Sequence, residues 1–140
     1  RFVSGAHAPT SATWGFENRT VAIRIPGGNT ASTRIEHRVA GGDANPYLLF
    51  TAIFSAALQG VKSKIKPPEP TTGNAYKKPN LSSELLKNLP EAIEAINHSP
   101  ISGFFSEVIL QNLAATKAQE FKLFSQMSDH DTLLALIDTA

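Results

Sequence analysis

The chain has 140 residues, the size of one domain that can bury about two thirds of its unfolded surface. A formal net charge of +1 disfavours nucleic-acid binding, and no apolar run approaches the roughly 20 residues that a membrane helix needs. The absence of cysteine excludes a disulfide framework and fits a reducing compartment, so we expect a cytoplasmic protein.

Residues 1–40 are predicted to form a loop followed by a pair of strands. Residues 1–19 look irregular, whereas residues 20–25 and 33–39 each alternate between apolar and polar side chains. A glycine-rich turn at residues 26–29 separates the two alternating runs. The pattern predicts an antiparallel strand pair, which we interpret as part of a larger sheet.

Residues 43–61 are predicted to form a buried helix. Asn45 is a good N-cap, Pro46 suits the first helical position, and Gly60 suits the end. The helix between them is apolar on nearly all sides, which is typical of a helix enclosed by other elements.

The last 80 residues divide into a connection and a helical tail. Residues 62–80 contain four prolines and predict an extended connection over the surface. Residues 81–140 predict a mainly helical tail, with helices at 82–88, 90–97, about 101–126, and from 131 onward. The fold class is therefore α+β.

The two kinds of cation are segregated along the chain. All five arginines lie within the first 38 residues, and every lysine follows residue 61. Only two glutamates oppose the arginines there. A guanidinium group can hold a carboxylate or phosphate with two parallel hydrogen bonds. The segregation therefore indicates a site for a small anionic molecule or phosphate. The arginines are Arg1, Arg19, Arg24, Arg34 and Arg38.

The second alternating run concentrates charge on one strand face. Its period of two places Arg34, Glu36 and Arg38 on the same side, and Arg24 of the first run can join them. A solvated face of salt-bridged neighbours is one interpretation. An anion-binding face is the other, because clustered arginines repel one another unless an anion neutralises them. A metal ion such as Mg²⁺ would explain the lone Glu36.

Four motifs, in this order and spacing, resemble the C-terminal part of the glutamine synthetase catalytic domain. The resemblance extends over the whole chain. The runs at 14–15, 36–41 and 72–76 resemble most the branch that joins glutamate to amines or polyamines. The four motifs are Arg1-Phe-Val-Ser-Gly5, residues 17–26, Arg34-Ile-Glu-His-Arg38 and Asp43-Ala-Asn-Pro-Tyr47.

The resemblance implies an ATP-dependent ligase that uses Mg²⁺ or Mn²⁺ and joins glutamate to ammonia or an amine. It implies that Arg1 and Arg38 bind glutamate and that Glu36 binds the metal. It also implies that Arg19, Arg24 and Arg34 meet the phosphates of ATP, with Arg19 acting in catalysis.

One position departs from the family pattern. Members that use ammonia carry a glutamate in the loop after the first arginine, and His7 stands at that place here. A neutral imidazole could accept a proton from the nucleophile near pH 7. The alternative is a loop histidine with no catalytic role.

The sequence begins at Arg1 rather than at methionine, and we expect it to be a piece of a longer protein. The family's other metal ligands and its N-terminal domain lie upstream of Arg1, so we expect the piece alone to be inactive. The resemblance implies a homo-oligomeric parent. Two alternatives remain open: a non-catalytic module that binds an anion or a partner through the arginine face, and a structural segment whose arginines only pair with acidic side chains.

Overall fold

The computed structural model describes residues 2, 7–77, 84–96 and 98–138. The chain divides into two compact units, the first ending at Lys87 and the second beginning at Asn88. The first unit holds a small sheet and one long helix, and the second is helical. The predicted α+β class, with a helical C-terminal part, is confirmed.

The sheet contains three short strands in the order β1-β2-β3: β1 (Trp14–Phe16), β2 (Ile23–Ile25) and β3 (Glu36–His37). Strands β2 and β3 are antiparallel, as predicted, with Arg24 opposite Glu36. The strands are shorter than the alternating runs from which they were predicted, and Arg34 precedes β3.

Strand β1 corrects the prediction that residues 1–19 are irregular. It pairs in parallel with β2, and the backbone N–H of Glu17 extends the pairing by donating to the carbonyl of Ile25 at 3.0 Å. A strand of three residues with a central glycine carries almost no local signal, because its stability comes from the neighbouring strand.

The proline-rich connection is hydrogen-bonded to the sheet through part of its length. Its residues 67–77, which we call the strap, lie against β1. The Trp14 indole Nε1 donates to the carbonyl of Pro68 at 2.7 Å, and the Thr71 N–H donates to the carbonyl of Trp14 at 2.7 Å. The strap is therefore held by both backbone and side-chain bonds.

The residues just after β1 hold the second half of the strap. The Asn18 Nδ2 donates to the carbonyls of Thr71 and Gly73, at 2.9 and 2.8 Å, and the Thr20 hydroxyl accepts from the Ala75 N–H at 2.9 Å. Gly73 has a φ of 76°, a conformation that glycine adopts without strain. The core of this unit lies where the front of the chain meets the strap: Ala8, Pro9, Val21, Ala22 and Ala75 are buried.

Helix α1 (Pro46–Lys62) begins as predicted and ends two residues beyond Gly60. The Asn45 side-chain oxygen accepts from the N–H groups of Tyr47 and Leu48, at 3.0 and 3.2 Å. The prediction that this helix is buried is wrong for the described chain. Tyr47, for example, is 83% exposed. The apolar composition of α1 predicts that other residues pack against it, but the described residues leave its apolar side chains exposed. The exposed apolar side chains of α1 include Tyr47, Phe50, Phe54, Leu58 and Val61.

The helical tail differs from its prediction at three helix starts. Its helices are α2 (Leu89–Ile96), α3 (Glu107–Phe124) and α4 (Asp129–Asp138), and α2 contacts α3. Helix α3 starts later than predicted because the Ser106 hydroxyl accepts from the Ile109 N–H at 3.3 Å and so caps it. Helix α4 starts two residues earlier than predicted, after Ser128.

The helix predicted over residues 82–88 is wrong at 84–88, and residues 82 and 83 lie outside the described part. Glu84 instead forms an isolated antiparallel bridge with Ser11, and the Leu85 N–H donates to the carbonyl of Thr10 at 3.1 Å. A long-range backbone pairing here overrides local helix propensity. Within the described ranges, the helices are each too short or too polar to cross a membrane.

We predict that Gly15→Ala destabilises the first unit. A Cβ atom at Gly15 would lie 2.7 Å from the Thr71 carbonyl oxygen, so β1 and the strap would have to separate. The expected loss in the free energy of unfolding is about 1–3 kcal/mol, measured by denaturant titration.

Gly60→Ala is the matched control, because a Cβ there meets nothing within 4 Å. Alanine at this helical position should stabilise the chain by about 0.5–1 kcal/mol. Equal effects of the two substitutions would contradict close contact between β1 and the strap.

Candidate functional site

A cavity of about 400 Å³ lies where the loop around His7, strands β2 and β3, and the end of the strap meet. Five of the predicted site residues line it, and two residues that were not predicted join them. The predicted ones are His7, Arg19, Arg24, Glu36 and Arg38; the others are Thr20 and Tyr76.

The carboxylate of Glu36 joins the two strands of the antiparallel pair through arginine. Because Arg24 lies directly opposite Glu36, its Nη1 donates to Glu36 Oε2 at 2.8 Å. Arg38 follows Glu36 by two residues and lies on the same face, so its Nη1 donates to Glu36 Oε1 at 2.8 Å. Of the four residues predicted to share this face, Arg24, Glu36 and Arg38 are joined as expected, whereas Arg34 precedes β3 and does not join them.

A second carboxylate neutralises this group from outside the cavity. Arg24 Nη2 donates to Glu17 Oε2 at 2.6 Å, and Glu17 also accepts from the backbone N–H of Gly27. The chain's own glutamates thus offset part of the arginine charge. The expectation that only a bound anion could hold these arginines together was too strong.

The ion pairs change the titration of both glutamates. The guanidinium of Arg38, and then that of Arg24, hold the pKa of Glu36 below its ordinary value. The Arg24 guanidinium and the Gly27 N–H likewise lower the pKa of Glu17. Both carboxylates are therefore ionised at neutral pH.

Two donors of the same arginines have no acceptor in the described part of the chain. The Nε atoms of Arg24 and Arg38 are buried and have no partner among the described residues. Because protein atoms cover both, a ligand in the cavity would reach them only after a local rearrangement. Arg19 lines the same cavity and forms no ion pair with a described residue. With three arginines and one glutamate in its lining, the cavity fits a carboxylate or phosphate ligand.

A divalent metal fits this part of the site poorly. Both oxygens of Glu36 already accept hydrogen bonds from guanidinium groups. Among the described residues, no three His, Asp or Glu side chains come together in a group that could hold a metal ion. A hard cation takes several oxygen ligands, so a metal at Glu36 would require carboxylates from elsewhere.

The loop that carries His7 is anchored from two sides. Arg38 Nη2 donates to the carbonyl of His7 at 3.2 Å, and the Tyr76 hydroxyl donates to the carbonyl of Ala8 at 3.0 Å. The role of Tyr76 was missed by sequence reasoning. Its signal in the sequence was its place in the run at 72–76, which resembled the amine-ligase branch.

Two predicted arginines are not part of this arrangement. Arg34 is exposed, and its Nη1 donates to the carbonyl of Ser32 at 3.2 Å rather than lining the cavity. Arg1 lies outside the described residues. Neither position tests its predicted contact with ATP or glutamate, and both roles stay predictions.

Comparison with known proteins places the chain in a family of ligases. The profile of "Glutamine synthetase, catalytic domain" matches residues 1–133. The chain is 47% identical over 128 residues to the gamma-glutamylputrescine synthetase of Escherichia coli strain K12, covering 91% of this chain and 27% of that protein.

Of two further relatives, one is named a glutamine synthetase and the other a glutamate–amine ligase. The chain is 40% identical over 129 residues to type-1 glutamine synthetase 2 of Dictyostelium discoideum, covering 89% of this chain and 25% of that protein. It is 32% identical over 140 residues to the glutamate–isopropylamine ligase of a Pseudomonas species, covering 99% of this chain and 30% of that protein. The chain thus spans less than a third of the length of these relatives.

We predict that Glu36→Gln weakens the acid sensitivity of folding. A carboxylate whose pKa is lowered by folding stabilises the native state above its ordinary pKa of about 4.3, and this stabilisation is lost as pH falls through the lower native value. The variant should be less stable than the wild type at pH 7, and the difference should shrink toward pH 3. Thermal unfolding midpoints across this range measure it.

Glu69→Gln is the matched control, since Glu69 forms no ion pair with a described residue. A constant difference between wild type and Glu36→Gln at all pH values would show that the Glu36 charge does not stabilise the fold.

Proposed function

The chain belongs to the glutamine synthetase family, and on that basis we propose that it forms part of the active site of an ATP- and Mg²⁺-dependent ligase that joins glutamate to ammonia or an amine. The observation that supports this most directly is the cavity lined by Arg19, Arg24 and Arg38, in which Arg19 forms no ion pair with a described residue. We also propose, as the resemblance implies, that the complete protein is cytoplasmic and homo-oligomeric.

The proposed reaction needs positive charge at fixed positions more than it needs covalent chemistry. In the proposed reaction, the side-chain carboxylate of glutamate would take the terminal phosphoryl group of ATP; the bond to the β-phosphate would break, and ADP would leave as the acyl phosphate forms. The nitrogen of ammonia or an amine then attacks the acyl carbon, and phosphate leaves. Phosphoryl transfer depends on positioning and on neutralising charge on the equatorial oxygens, which guanidinium groups can do.

The roles of the individual residues are the ones that the resemblance implies. We propose that Arg19 and Arg24 contact the phosphates and the transferring group, and that Arg38 contacts the carboxylate of glutamate. Arg34 and Arg1 are proposed to contact ATP and glutamate respectively. We propose that Glu36 binds a metal only together with carboxylates from the rest of the protein. In the described chain its carboxylate instead holds Arg24 and Arg38 in place.

We propose that His7 accepts the proton that the attacking nitrogen releases. It lines the cavity, and a neutral imidazole near pH 7 can take that proton. Two relatives, a gamma-glutamylputrescine synthetase and a glutamate–isopropylamine ligase, favour an amine over ammonia as the nucleophile.

The complete protein that contains this segment should release ADP when glutamate and an amine are present together. Putrescine-like and aromatic amines should be compared with ammonia in a coupled ADP assay. Turnover of ammonia equal to or better than that of every amine would contradict the choice of an amine. The 140-residue chain alone serves as the control and should be inactive, because its described residues do not complete a metal site.

Arg24→Lys in the complete protein should reduce kcat/KM on the order of 10²-fold, because lysine keeps the charge but loses the fork of donors. The control is Glu17→Gln. It weakens the ion pair between Arg24 and Glu17, and the Glu17 side chain does not line the cavity. Initial rates at varied ATP and glutamate measure both variants. Equal losses would indicate that the arginine cluster is structural.

A further inference from the structure

The loop that carries His7 is held in an unusual backbone conformation. His7 has a φ of 59°, in the left-handed region that residues with a side chain seldom adopt. Such a conformation persists only where the surrounding structure determines it. Two hydrogen bonds could do so here, one to the carbonyl of His7 and one to the carbonyl of Ala8.

These two bonds come from distant parts of the chain. Arg38, which donates to His7, belongs to the ion-pair cluster around Glu36. Tyr76, which donates to the Ala8 carbonyl, lies near the end of the strap, 68 positions from Ala8 in the sequence. Ala8 is buried, so its carbonyl needs a partner from the protein. The bond from the Tyr76 hydroxyl therefore couples the placement of the His7 loop to attachment of the strap.

We propose that Tyr76 is a positioning residue for His7, and that its hydroxyl holds the loop so that the imidazole meets the incoming amine. This proposal rests on the proposed function, in which His7 accepts the amine proton. Tyr76 acts through the loop backbone, because its hydroxyl bonds to a carbonyl rather than to the imidazole.

The coupling has a specific consequence for nucleophile choice. An alkylamine is mostly protonated at neutral pH and needs a correctly placed proton acceptor. Hydroxylamine is a weaker base that is mostly unprotonated under the same conditions, so it depends less on that acceptor. Misplacing His7 should therefore impair the alkylamine reaction more than the hydroxylamine reaction.

The test uses the complete protein with Tyr76→Phe, which removes only the hydroxyl. With putrescine we expect kcat/KM to fall about tenfold, since a small misplacement of a reacting group has effects of this order or larger. With hydroxylamine we expect a loss of less than about twofold and an unchanged KM for ATP. The limb of the kcat–pH profile that reports the proton acceptor should also shift for putrescine.

The control is Tyr47→Phe, the same chemical change at the other tyrosine of the chain, on the exposed surface of α1. It should leave both activities unchanged. The ratio of putrescine to hydroxylamine turnover is measured on one preparation, so it does not depend on how much of a variant is folded.

Each outcome decides the proposal. A fall of about fivefold or more in that ratio for Tyr76→Phe supports it. An unchanged ratio, whether both activities persist or fall together, overturns the positioning role while the proposed function stands. A wild-type protein that makes no ADP with glutamate and either nucleophile overturns the proposed function, and the positioning role with it.

Discussion

The arrangement of the cavity depends on the hydrogen bonds that the Glu36 carboxylate accepts. This carboxylate accepts a hydrogen bond from Arg24 on the neighbouring strand and another from Arg38 on its own strand. Because Arg38 is held by this bond, its second terminal nitrogen can reach the carbonyl of His7. One acidic side chain thus fixes the orientation of two guanidinium groups and, through them, the placement of a loop.

The strap reaches the same cavity through Tyr76. Its bonds to Trp14, Asn18 and Thr20 join residues more than 50 positions apart, and most use side chains rather than strand pairing. A segment rich in proline offers few N–H donors, so its partners must come to its carbonyl groups. This explains why indole and amide donors from the front of the chain appear where a sheet would use backbone groups.

The features that could be read from the sequence were those with local signals. Alternation located the antiparallel pair and the shared face of Arg24 and Glu36, and Asn45 with Pro46 located the start of α1. The parallel pairing of β1 could not be predicted, because its three residues carry no pattern of their own. The bridge of Glu84 to Ser11 was missed for a related reason: its partner lies 73 positions away, beyond any local window.

The cavity shows the same division between local and distant information. Arg24, Arg38 and Glu36 were found because alternation along two strands predicted a shared face, whereas Arg19, which lies outside the strands, was assigned its role through the family resemblance. Tyr76 was not found, since a tyrosine after a proline-rich run is an ordinary residue until its hydroxyl is seen against Ala8. The surface of α1 is a different case: its apolar composition predicted a buried helix, and the described residues leave that surface exposed.

The position of Trp14 has a spectroscopic consequence. It is the one tryptophan of the chain, its indole nitrogen donates to Pro68, and its ring meets Phe16 edge-on at 5.4 Å. Release of the strap would expose more of this partly buried indole to water and shift its emission to longer wavelength. Intrinsic fluorescence of this chain is therefore a direct optical signal of whether the strap is attached.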